Sequence, residues 1–151
     1  MDEEKINQQL QNIENYQGSF AVDELNEIKL AYYPTMVIIN LDKRSMGGSH
    51  WISVAVYKTK VFICDSLGGV KPNNPFPPEL SFFLNNLLRK RRLLITKRLQ
   101  PINSQLCGLY CITFVKELSK NNCFYDFLNL FSCNLQQNDD IIKFLNKGIK
   151  I

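Results

Sequence analysis

The chain has 151 residues, 45% of them hydrophobic, with a net charge of +4, five cysteines and a single histidine. That length suits one core and is short for two, and no apolar run approaches the roughly 20 residues that a membrane-spanning helix needs. The polar start Met1-Asp2-Glu3-Glu4-Lys5 does not read as a signal peptide, and the odd cysteine count lacks scaffold-like spacing, so a reduced, non-secreted protein is expected.

With no repeat, linker or break in composition, one domain over 1–151 is expected. Residues 3–15 carry Ile6, Leu10 and Ile13 at helical spacing, which predicts an amphipathic helix punctuated by Gly18. Phe20, Val22 and Leu25 suit a short irregular or helical segment. Met36 to Leu41 is a nearly continuous apolar run behind Pro34, the pattern of a buried strand. After the Gly47-Gly48 loop, His50 to Tyr57 and Val61 to Cys64 read as a hairpin joined by the polar turn Lys58-Thr59-Lys60.

Gly68 to Pro78 reads as a Gly-, Pro- and Asn-rich loop, and Glu79 to Leu88 as a helix ending in the basic run Arg89-Lys90-Arg91-Arg92. Leu93 to Thr96 suits a strand that delivers Gln100 at its end. Ser104 reads as the N-cap of a helix running to about Lys120, and 124–131 and 139–144 as two further short helices.

The chemistry concentrates at four residues. The hairpin sets His50, at the start of one strand, beside Asp65, at the end of its antiparallel partner, so fifteen residues of separation become a short distance. Cys107 falls in the first turn of the helix after Ser104, where unpaired amides and the dipole favour a thiolate. Gln100 lies seven positions before Cys107, and Gly108 follows the cysteine and admits a close backbone. Thiol, base, orienting acid and amide donor make a complete cysteine-nucleophile set, in which Gln100 and the Cys107 N–H face the developing oxyanion. Taken singly each part is ordinary: a small core cysteine, a structural histidine beside tryptophan, a turn aspartate. Their joint placement is what points to catalysis. No metal-ligand cluster accompanies the one histidine, and this chemistry calls for no cofactor.

Gly47-Gly48-Ser49-His50-Trp51 and the segment Gln100-Pro-Ile-Asn-Ser-Gln-Leu-Cys107-Gly108-Leu-Tyr-Cys resemble the hallmark segments of the adenovirus maturation protease (adenain) family. The resemblance covers roughly 18 to 118. Its Gly18-Ser-Phe20-Ala-Val-Asp23-Glu24-Leu25 segment is similar to the version found in virophages and polinton elements. Proteases that process ubiquitin-like modifiers share the arrangement more distantly. The resemblance implies an α+β cysteine-proteinase fold, a small mixed or antiparallel sheet packed on a central helix that carries the nucleophile. It implies His50 as general base, Asp65 as orienting acid, Gln100 as oxyanion donor and Cys107 as nucleophile. Trp51 would narrow the cleft so that only Gly-Gly or Gly-X junctions fit, with Trp51 and Gly108 contacting substrate.

The function so implied is an endopeptidase that cleaves viral capsid precursors during maturation, acting as a monomer in the virion and the host-cell cytoplasm, with no membrane partner. A deconjugase of ubiquitin-like modifiers and a triad-based acetyltransferase are the alternatives. Adenoviral enzymes carry a cysteine upstream of the glutamine for a disulfide-linked activating peptide; here Arg89 stands at the matching position and no cysteine lies between Cys64 and Cys107. The run Arg89, Lys90, Arg91 and Arg92 is a candidate for weak DNA binding, against the plainer reading of a solvated helix end.

Overall fold

A computed structural model describes residues 1–68, 76–121 and 123–150. Helix α1 spans Glu3–Leu10 and starts where the Asp2 carboxylate accepts the Lys5 N–H at 2.9 Å, with Glu3 and Glu4 favouring the positive end of the dipole. Ile6 and Leu10, four apart, put its apolar stripe on the core. The helix stops sooner than the periodicity suggests, because the chain turns at Ile13 and enters strand β1 (Tyr16–Ala21). This strand went unread in the sequence: it is a sheet edge containing Gly18, only Ala21 is buried, and no alternation survives. A 3-10 helix follows at Val22–Glu27.

Strands β2 (Thr35–Asn40), β3 (Trp51–Val56) and β4 (Lys60–Cys64) form a meander, both pairings antiparallel, that contains the expected β3–β4 hairpin, and β5 (Arg92–Ile95) joins β4 in parallel. With β1 parallel to β2, the five strands are ordered in space as in sequence. The near-continuous apolar run of β2 follows from its two covered faces. Met36 and Ile38 face one core with α1 and α3, while Val37 and Ile39 face a second core with the helix α2 (Pro78–Leu87).

Helix α3 (Cys107–Ser119) is the hub. Ten of its residues are buried, and α1, α4 (Phe124–Leu128) and α5 (Leu135–Leu145) pack around it against β3. Phe114 and Phe127 meet edge-on with centroids 5.3 Å apart, and both are fully buried. Each such side chain contributes roughly 1.5–3 kcal/mol, so the axis of the helix that carries Cys107 is anchored well away from Cys107 itself. The structure is thus the expected α+β arrangement of a mixed sheet on a central helix. Most of the expected Gly68 to Pro78 loop lies outside the described residues.

Topology alone gathers the candidate residues. Parallel pairing of β4 with β5 brings the segments that follow them, Asp65 and Gln100, to one end of the sheet. Antiparallel β3 begins at that same end with His50 just before it. The basic run sits at the other end, where Arg92 pairs with Lys60.

Candidate active site

His50 is placed by the loop before β3. Its carbonyl accepts the Leu41 N–H at 3.0 Å, and Gly47 and Gly48 supply left-handed turns with φ of 83° and 80°. A Cβ on Gly48 would come within 2.3 Å of the Asn40 amide nitrogen, so both backbone and packing require glycine there. Asp65 is fixed from β5: its N–H donates to the Thr96 hydroxyl at 2.9 Å, and that hydroxyl donates back to the Asp65 carbonyl at 3.0 Å.

His50 Nε2 and Asp65 Oδ1 are 2.7 Å apart, and both side chains are largely buried. The carboxylate therefore holds the proton on Nε2 and leaves Nδ1 as the ring nitrogen it does not engage. Nδ1 is buried and completes no hydrogen bond, although Cys107 is near enough to raise the basicity of the ring. A thiol and base in proximity, not yet aligned, is a common substrate-free geometry. Burial opposes charging of His50, but the bond to Asp65 and the neighbouring Cys107 together outweigh it and raise its pKa from 6.5 to about 9.

Cys107 is the first residue of α3. Leu106 is the N-cap, and Ser104, expected there, instead accepts the Leu106 N–H on its hydroxyl at 3.3 Å. Cys107 stays in the first turn, where its N–H has no intrahelical acceptor, and now opens it. Burial raises the thiol pKa, yet His50 and the Trp51 backbone N–H outweigh it and hold it below the usual thiol range. Cys64 and Cys111 are fully buried and their pKa values are pushed up by burial.

Gln100 is fully buried. Its Oε1 accepts from the Ser66 hydroxyl at 2.6 Å, and its Nε2 donates to the Ser104 carbonyl at 2.8 Å and to the Ser104 hydroxyl at 3.1 Å. The amide is thus turned toward the segment that leads to Cys107, and closed on it.

The two expected substrate contacts differ in standing. Trp51 is half-buried, donates from Nε1 to the Met1 carbonyl at 3.1 Å, and with Gly47 and Gly48 lines a cavity of about 270 Å³. Gly108 is buried, and a Cβ there would meet Met1 Cβ at 3.2 Å and Met1 Sδ at 3.4 Å. Its missing side chain leaves room for Met1.

No family model matches the chain, and no curated protein matches its sequence. Solved structures do match its fold. HopZ1a in complex with IP6 and CoA superposes with a TM-score of 0.52 at 16% identity, covering 89% of this chain and 44% of that one. AvrA with IP6 and CoA gives 0.49 at 17% identity over 93% and 52%. The SUMO protease Ulp1 gives 0.46 at 13% identity over 99% and 79%. The likeness is one of fold: HopZ1a shares this α+β arrangement. The chain spans less than half the length of HopZ1a.

In this setting Ser66, Thr96 and Ser104 join the site as supporting residues. Nothing in the sequence singles them out, since serine and threonine at strand ends and turns are commonplace.

Cys123 and Cys133 are exposed whereas Cys107 is nearly buried, so accessibility favours the first two and only ionisation favours Cys107. At about pH 6, limiting iodoacetamide should therefore label Cys107 first. Mass mapping that finds Cys123 or Cys133 labelled ahead of it would remove the thiolate from the account.

Proposed function

We propose that this protein is a cysteine endopeptidase that cleaves viral capsid precursors at Gly-Gly or Gly-X sites during virion maturation. On this reading it is of the adenain-like type found in virophages and polinton elements. The observation that carries the chemistry is geometric: a cysteine at the first position of a helix near a histidine held by a carboxylate at 2.7 Å, an environment that lowers the thiol pKa. Cys107 attacks the scissile carbonyl, His50 carries the proton to the leaving amine, and water then releases the acyl group. The Cys107 N–H and Gln100 Nε2 stabilise the oxyanion, with Gln100 exchanging the longer of its two bonds, the one at 3.1 Å to the Ser104 hydroxyl, for the substrate oxygen. Trp51 narrows the approach to glycine-sized residues.

The same first step would serve acyl transfer from a thioester, and CoA bound to HopZ1a favours that second reading as strongly. A deconjugase acting at a Gly-Gly terminus is the third. Three substrates separate them: a capsid precursor, a ubiquitin-like modifier conjugate, and acetyl-CoA with an acceptor protein. Cleavage of precursor alone supports the first reading; conjugate cleavage alone, or acetylation without hydrolysis, overturns it.

We place the enzyme in the virion and host cytoplasm as a monomer, with weak DNA binding through Arg89, Lys90 and Arg92, which are exposed. Arg91 is committed elsewhere: its guanidinium donates to the Tyr57 carbonyl at 2.7 Å and to the Tyr33 hydroxyl at 3.2 Å. Duplex affinity should fall with salt at a log–log slope of about −0.9 per phosphate neutralised. Reversing Arg89, Lys90 and Arg92 to Glu should flatten that slope without altering hydrolysis of a short peptide. An unchanged slope in an anisotropy titration would leave the run as a solvated turn.

A further inference from the structure

Ser66 lies directly after the orienting acid, is almost fully buried, and gives its one hydroxyl proton to Gln100 Oε1 at 2.6 Å. We propose that Ser66 is a positioning residue that anchors the oxygen of the Gln100 amide and so holds its NH2 toward the nucleophile segment. The inference rests on the reading of Gln100 as an oxyanion donor and extends it to the group that makes this possible.

A glutamine amide can be turned by half a rotation about its last bond, exchanging its acceptor for its donors. One neighbour forbids the exchange and a second anchors the orientation so chosen. The Ser104 carbonyl can only accept, so at 2.8 Å it must face Nε2. The Ser66 hydroxyl, able to donate or accept, meets this orientation by donating to Oε1 on the other side. Turned the wrong way, Oε1 would oppose a carbonyl oxygen, and an acceptor would stand where the oxyanion forms. Removal of the Ser66 hydroxyl would leave Oε1 buried without a partner, in a residue with no exposure to water. The amide would then keep its sense through the Ser104 carbonyl but lose the anchor on its oxygen, and with it the fixed position that the chemistry needs.

The Ser66 backbone has its own task. Its carbonyl accepts the N–H groups of both Leu99 and Gln100 at 2.9 Å, which ties the end of β4 to the segment after β5. Those bonds do not involve the side chain, so Ser66→Ala should keep the fold and isolate the hydroxyl. Asp65 and Ser66 thus divide the work between neighbours: one side chain orients the base and the other orients the amide.

The test is a double-mutant cycle of Ser66→Ala and Gln100→Ala on a peptide substrate, with melting curves to show that each variant folds. Ser66→Ala should lower kcat by about 10- to 100-fold with KM little changed, since one oxyanion donor is weakened rather than removed. In the Gln100→Ala background the same change should cost nothing further. Alkylation of Cys107 by iodoacetamide, which develops no oxyanion, should keep its rate and pH dependence in Ser66→Ala. An equal loss in both backgrounds, an unchanged kcat, or a shifted alkylation profile would overturn the proposal; the last would mean that Ser66 acts through Asp65 and His50. A readout without turnover separates this from failure of the functional reading. The side-chain NH2 resonances of Gln100, identified by their loss in Gln100→Ala, should move in Ser66→Ala. If they do not, the proposal falls whatever the substrate. If they move while wild-type enzyme processes no acyl substrate, the orientation by Ser66 stands and the oxyanion reading falls.

Discussion

Replacing Cys107 with alanine should abolish acyl-enzyme formation and lower turnover by about 10⁶-fold while the fold survives, because the nucleophile has no substitute. The other thiols cannot step in. Cys64 and Cys111 are fully buried with raised pKa values, and Cys123 and Cys133 are exposed and make no bond to His50 among the described residues. The loss should appear in kcat, with substrate binding nearly intact, since the thiol is small and nearly buried. Serine at the same position should do little better than alanine, because the depressed pKa that makes Cys107 reactive has no counterpart in an alcohol. Intact mass after incubation with a peptide vinyl sulfone is the direct measurement: a single adduct on wild type and none on Cys107→Ala. An adduct of equal yield on the variant would mean that the chemistry lies elsewhere.

The survival of the fold follows from where the stability resides. Helix α3 is held by residues one to three turns further along, among them Tyr110, Phe114 and Val115, all fully buried. Cys107 sits at the open end of that anchored rod, and a lost sulfur atom there leaves the large aromatic contacts untouched. The site is precise because its supports are rigid, and it tolerates substitution because they are distant.

The sequence shows this core well and its margins poorly. Strands β2 to β4 are legible because double-sided burial leaves Val37, Ile39, Val54 and Ile63 in unbroken apolar runs. From the hairpin they form, the closeness of His50 and Asp65 follows by geometry. Edge strand β1 escaped because an edge needs no alternation, and Gly18 reads as a stop. The cap of helix α3 reads two residues early because Ser104 has the chemistry of a cap, while its hydroxyl serves the turn that carries Leu106. The Ser66–Gln100–Ser104 bonds were illegible for a different reason. They join β4, β5 and α3 at separations that only the parallel β4–β5 pairing brings together. Arg91 shows the same limit at the surface: four basic residues in a row look equivalent, yet one is tied to Tyr57 and Tyr33.

Asp65 offers the sharpest division between charge and orientation. Its Oδ1 accepts from two directions, from His50 Nε2 at 2.7 Å and from the Leu67 N–H at 3.2 Å. An asparagine in its place can keep its carbonyl oxygen on both donors and turn its NH2 away, so the ring should stay oriented while the negative charge is lost. Asp65→Ala removes orientation and charge together. We therefore expect Asp65→Ala to lower kcat by about 10³–10⁴-fold and Asp65→Asn by less, on the order of 10²-fold. The pH dependence distinguishes the two contributions. Burial lowers the His50 pKa, and Asp65 is the first of the groups that raise it, to about 9. A folded pKa above the ordinary 6.5 means that the stabilisation is fully present below pH 6.5 and is lost as pH rises through about 9. The imidazolium that protonates the leaving group fades over the same interval, so activity should decline toward pH 9 in wild type. With the carboxylate gone, burial dominates, and the basic limb of the rate profile should move to lower pH in Asp65→Asn. The pH at which stability fades, read from melting temperatures, should move down with it. A basic limb that stays in place in Asp65→Asn would show that the charge of Asp65 does not set the ionisation of His50, and would leave orientation as its whole contribution.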